Sequence, residues 1–79
     1  MEVQFTKEFA KQFIENGGLC KRIRGFEFRG ARPRVISKEE ALALLPNYGF
    51  GMSYHEINFI NKNGEFYLEF AEYSESDLY

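Results

Sequence analysis

Asn63-Gly64 constrains this chain more than any other pair of residues. Placed between two alternating apolar segments, Asn-Gly is the strongest short-range hairpin signal. A two-residue type I′ turn needs positive φ at both central positions, and these residues tolerate it. The flanking segments, residues 54–62 and 65–73, read as strands. With a two-residue turn, Lys62 faces Glu65. Counting outward pairs Phe59 with Leu68, Ile57 with Phe70 and His55 with Glu72. The four apolar side chains then share one face, with Phe66 beside Leu68. A one-residue slip would turn that set to the other side, so turn chemistry and alternation specify the same register.

The N-terminal half carries helical periodicity. Residues 6–16 predict a helix capped by Thr6. Phe9, Ala10, Phe13 and Ile14 fall on one face, and Lys7, Lys11 and Glu15 on the other. Gly17-Gly18 follows, where left-handed caps end helices. Residues 37–45 predict a second helix. Ser37 and Glu40 have the spacing of a capping box, and Pro46 bars continuation. Between the helices, residues 19–29 predict a strand on which Phe26 and Phe28 share a face. Ile23 is out of phase with them, and Gly25 as a bulge would reset the alternation. Residues 30–33 read as a turn and residues 34–36 as a short strand. Residues 47–52 read as a loop, its Gly49-Phe50-Gly51 a mobile turn. The expected class is α+β: two helices packed on one face of a small, mostly antiparallel sheet of three to four strands, in the order α-β-(β)-α-β-β. Residues 1–79 make a single domain, with 74–79 an acidic tail that frays. A chain this short buries only about 60–65% of its unfolded surface. Nine Phe and five Tyr therefore matter, because each buries a large apolar area.

Charge is segregated. Residues 19–38 hold seven basic residues against one acid, whereas residues 39–79 hold eight acids against one base. The net charge of −2 conceals a dipolar chain. Segregation of this kind concerns partners and association rates, not fold. A single cysteine rules out an internal disulfide framework and leaves no Cys cluster for zinc. No apolar run approaches membrane-spanning length. The N-terminus lacks a basic n-region followed by an apolar h-region, so a cytoplasmic protein without membrane association is expected.

Catalytic signals are weak. His55 opposite Glu72 resembles a base with its orienter, but a cross-strand polar pair is the simpler account. Cys20 beside Lys21 and Arg22 has an electropositive setting, yet free cysteines are mostly buried. Gly49-Phe50-Gly51 lacks the third glycine of a phosphate loop. No enzyme, cofactor or metal is expected. Three groups remain as candidate binding surfaces. The basic patch is Lys21, Arg22, Arg24, Arg29, Arg32 and Arg34, five arginines among them being suited to bidentate recognition of carboxylate or phosphate. The aromatic set is Phe26, Phe28, Tyr48 and Phe50. The acidic set is Glu69, Glu72, Glu75 and Asp77, in which Glu69 and Glu72 point to opposite sides of one strand. A solvated face is the simpler account of these acids.

Arg24-Gly25-Phe26 and Phe28 echo part of the consensus string of the RNA-recognition motif. Glu27 and Arg29 break the string, the next aromatic is missing, and the order of elements differs from that fold. The expectation is a non-enzymatic protein-binding module: a regulator, adaptor or inhibitor of the kind that phages and mobile elements encode. It would dock on a larger protein or nucleoprotein complex through its charged and aromatic patches. The alternative is single-stranded nucleic-acid binding through residues 21–34, where basic residues alternate with aromatics.

Overall fold

The computed structural model describes residues 6–50 and 54–73. Eight elements follow in chain order: α1 (Lys7–Glu15), β1 (Cys20–Arg24), a 3-10 turn (Glu27–Arg29), β2 (Arg34–Val35), α2 (Lys38–Leu44), a second 3-10 turn (Leu45–Asn47), β3 (His55–Lys62) and β4 (Glu65–Glu72). The four strands form one sheet in the order β2-β1-β4-β3. The β1–β2 and β3–β4 pairs are antiparallel, and the central β1–β4 pair is parallel. The class is therefore α+β with a mostly antiparallel sheet.

The hairpin forms as its turn chemistry dictates. Asn63 and Gly64 have φ of 56° and 83°, and Lys62 pairs with Glu65, Phe59 with Leu68, Ile57 with Phe70 and His55 with Glu72. Both helix starts are also local. Thr6 accepts a bond from the Phe9 amide at 3.1 Å, and Ser37 accepts one from the Glu40 amide at 3.1 Å. The Gly17 amide donates to Ile14 O and the Gly18 amide to Phe13 O. That is the paired pattern of a Schellman ending. Pro46 ends the α-helical run at Leu44, and the chain continues through one 3-10 turn.

Strand alternation divides the sheet into two faces. On the first, Cys20, Ile57, Leu68 and Phe70 form one buried cluster with Ala10 and Ile14 of α1, with Ala41 of α2 and with Leu45, Tyr48 and Ile36. Phe9 and Phe13 of α1 each meet Phe59 edge to face, at 5.5 and 5.3 Å. On the second face lie Lys21 and Ile23 of β1 and Tyr67, Glu69 and Ala71 of β4.

Residues 19–29 depart from the expected single strand. β1 stops at Arg24, because Gly25 takes φ of 95° and its amide donates to Glu72 O at 2.8 Å. That left-handed conformation turns the chain off the sheet. The connection then doubles back over the second face. Glu27, Ala31 and Pro33 share a cleft of about 300 Å³ with Lys62, two strands away. Gly25 thus ends a strand where a bulge within one was expected. Gly49 is likewise tied down: its amide donates to His55 O and its carbonyl accepts from the Ile57 amide. No helix among the described residues is long and apolar enough to cross a membrane.

Candidate arginine groove

The register of the central strands aligns charged residues in rows on the first face. Arg24, Glu72 and His55 stand side by side across β1, β4 and β3. In the next row Arg34 of β2 pairs with Arg22 of β1. Arg32 enters from the connection before β2. Together Arg22, Arg24, Arg32 and Arg34 line a groove of about 250 Å³.

Glu72 holds two of these arginines. Its Oε2 accepts from the Arg22 guanidinium at 3.1 Å, from Arg24 Nε at 3.3 Å and from the Tyr48 hydroxyl at 3.4 Å. Its Oε1 lies 3.8 Å from His55 Nε2. Burial alone would raise the pKa of this carboxyl, but the Arg22 hydrogen bond and the charges of Arg24, Arg22 and His55 outweigh it and lower the pKa. From α2, Glu40 brings Oε2 to 3.7 Å from Arg22. Glu40 therefore faces Arg22, and among the described residues no hydrogen bond from it closes the expected capping box. The Arg22 side chain is only 17% exposed, and its Nε–H is buried without a hydrogen-bond partner among the described residues. Burial works against its charge, and the Glu72 hydrogen bond together with the further interactions of Tyr48 and Glu72 outweighs it, so the guanidinium stays protonated. Among the described residues Arg32 and Arg34, both exposed, make no ion pair.

The remaining candidates are dispersed. Lys21 lies on the second face, 4.4 Å above the Tyr67 ring and 3.8 Å from Glu65. Phe26 and Phe28 leave the sheet with the connection and do not join the core. Phe26 stacks on Tyr73 at 4.3 Å and on Phe28 at 5.1 Å. Phe28 is 79% exposed at the end of that stack, with the Arg29 guanidinium 5.8 Å from its ring. Tyr48, expected at the surface, is 3% exposed and packs edge to face on Phe70. Its aromatic body belongs to the core and its hydroxyl reaches Glu72. Phe50 is exposed.

Glu69 and Glu72, the described members of the acidic set, do not share a solvated face. Glu72 is bonded to Arg22 and Arg24. Glu69 is 8% exposed on the opposite side, where burial, with Glu27 and Glu56 nearby, raises its pKa against the pull of Lys21 and Lys62. Glu75 and Asp77 lie outside the described residues, as do Gly51 and residues 74–79. Among the described residues no three His, Cys, Asp or Glu side chains gather to hold a metal. Cys20 is buried, its thiol donates to Gly18 O at 3.5 Å, and burial pushes its pKa up to about 11. That is the opposite of an activated thiolate.

The sequence contains every arginine of the groove, but nothing in it marks Glu72, Tyr48 and Glu40 as the group that holds Arg22 and Arg24. Only the His55–Glu72 pairing was accessible, by counting from the turn. No family model, curated protein or solved structure matches this chain.

Proposed function

We propose that this domain is a non-enzymatic protein-binding module that captures an acidic segment of a partner in the arginine groove. The observation that carries this reading is that four arginines line one groove, two of them, Arg32 and Arg34, without an ion pair among the described residues. Glu72 and Glu40 hold Arg22 in place, so part of the ordering cost is met before a ligand arrives. In this reading both helices cover the face that carries Leu68 and Phe70. The groove then opens at the margin of that layer, beside the short edge strand β2. Arginine forks suit carboxylates because two parallel N–H···O bonds form at once.

The test is fluorescence anisotropy with a labelled peptide rich in Glu and Asp. Arg32→Glu with Arg34→Glu should weaken binding by about tenfold or more and flatten its salt dependence, with the fold unchanged. Unaltered binding by the folded double variant would remove the groove from the function. One observation favours a second reading, single-stranded nucleic acid: the exposed Phe28 ring ends a three-ring stack beside Arg29 and offers a face to a base. Binding of an oligothymidylate that is lost with Phe28→Ala would select it.

A further inference from the structure

Two of the four positive charges at the groove, Arg32 and Arg34, have no ion-pair partner among the described residues. Among the described residues the ion pairs of these four arginines involve two carboxylates, Glu72 and Glu40, and Glu27 lines a neighbouring cleft with Arg32 without an ion pair to it. Glu72 accepts from Arg22 and from the Nε edge of Arg24, and Glu40 lies 3.7 Å from Arg22. A carboxylate entering from a partner would neutralise one of the two remaining charges. It would present two oxygens to three forks: Arg32, Arg34 and the terminal nitrogens of Arg24. A phosphomonoester carries close to two negative charges at neutral pH and three acceptor oxygens. It matches both the charge surplus and the number of forks. We propose that the groove receives the phosphoryl group of a phosphorylated serine, threonine or tyrosine on the partner protein, a reading that rests on the groove being the docking surface.

The charge distribution favours one compact dianion over a nucleic-acid strand. A phosphodiester backbone spreads single charges along its length. Salt screens each beyond about 10 Å at 0.1 M. The described chain measures 36 × 29 × 23 Å, and the groove is lined by four arginines at one place on it. A strand crossing the groove carries most of its phosphates beyond these arginines, whereas a phosphoryl group contacts the arginines alone. Glu72, bonded in turn by the Tyr48 hydroxyl, holds Arg22 and Arg24, so a phosphorylated side chain enters from the Arg32 and Arg34 side.

The experiment compares four probes on the full chain: a short Gly/Ala peptide with one phosphoserine, the same peptide with serine, the same with glutamate, and an oligothymidylate. Anisotropy gives affinities, and the arginine Nε–H resonances locate the contact. The phosphoserine peptide should bind about tenfold or more tightly than the glutamate peptide and shift Arg24, Arg32 and Arg34. Arg32→Ala with Arg34→Ala should abolish that preference. Arg32→Lys with Arg34→Lys keeps the charge, removes the forks and should also lose most of it, which covers the case in which the alanine pair misfolds. Equal affinity for the phosphoserine and glutamate peptides, both dependent on Arg32 and Arg34, overturns phosphate recognition and leaves the acidic-segment module standing. Peptide binding indifferent to both arginines overturns the two together. Tighter binding of oligothymidylate through the same arginines replaces the phosphoprotein with nucleic acid.

Discussion

Glu69 and Glu72 are three residues apart on β4 and respond to pH in opposite ways. The folded state lowers the Glu72 pKa, so this carboxylate contributes stability above the ordinary carboxylate value of 4.5. The contribution is lost as pH falls through the lower folded value. Glu72→Gln should destabilise the domain at neutral pH by about 1–2 kcal/mol, allowing for its partial exposure, and the deficit should shrink in acid. For Glu69 the pKa is raised, so ionising it costs the folded state. Stability is then full below 4.5 and declines as pH rises through the raised value. Glu69→Gln should raise the denaturation midpoint at neutral pH and lose that advantage in acid. Urea titrations at several pH values check both signs; parallel curves for the two variants would contradict them. Two glycines separate backbone from steric causes. Gly64 has positive φ and open space where a Cβ would stand, so Gly64→Val should cost about 1–2 kcal/mol through conformation alone. A Cβ at Gly18 would fall on the Phe13 ring, so Gly18→Ala should cost about 1–3 kcal/mol through packing against Phe59. Truncating Phe13 to Leu should relieve the second cost and leave the first unchanged.

At the scale of elements, local signals succeed where they stand close together in sequence. The Ser37 hydroxyl meets the amide three residues ahead, so the start of α2 is a local event. Ser37→Ala should lower stability by about 1 kcal/mol. An unchanged midpoint in chemical denaturation would show that Lys38–Leu44 is held by packing and not by its cap. β1 shows the limit of such signals. Apolar alternation through Phe26 and Phe28 continues the strand pattern past Arg24, yet Gly25 breaks it. Two partners decide the outcome, and both are distant in the chain: Glu72 O receives the Gly25 amide, and Tyr73 stacks on Phe26. Alternation reports only that two side chains point the same way. It cannot report that the backbone between them has left the sheet.

For the whole molecule, the buried cluster draws on helices, strands and the Tyr48 loop, and Cys20 lies within it. Its thiol is shielded by the fold and its pKa is pushed up to about 11. Labelling by a thiol reagent at neutral pH should therefore require opening of the domain, and its rate should rise with denaturant in step with unfolding. Fast labelling of the native protein would place Cys20 in a locally open region. What the amino-acid order determined by itself is the set of short-range events. The hairpin and its register, both helix caps and the end of α2 at Pro46 each depend on residues near one another in the chain. The tertiary structure alone decided the parallel pairing of β1 with β4, the turn of the 25–33 connection over the second face, and the group that holds Arg22 and Arg24. Arg22 and Glu72 are fifty residues apart and meet because two strands lie side by side. Local propensity acts over a few residues, whereas a charge pair at that separation exists only after the chain between them has folded.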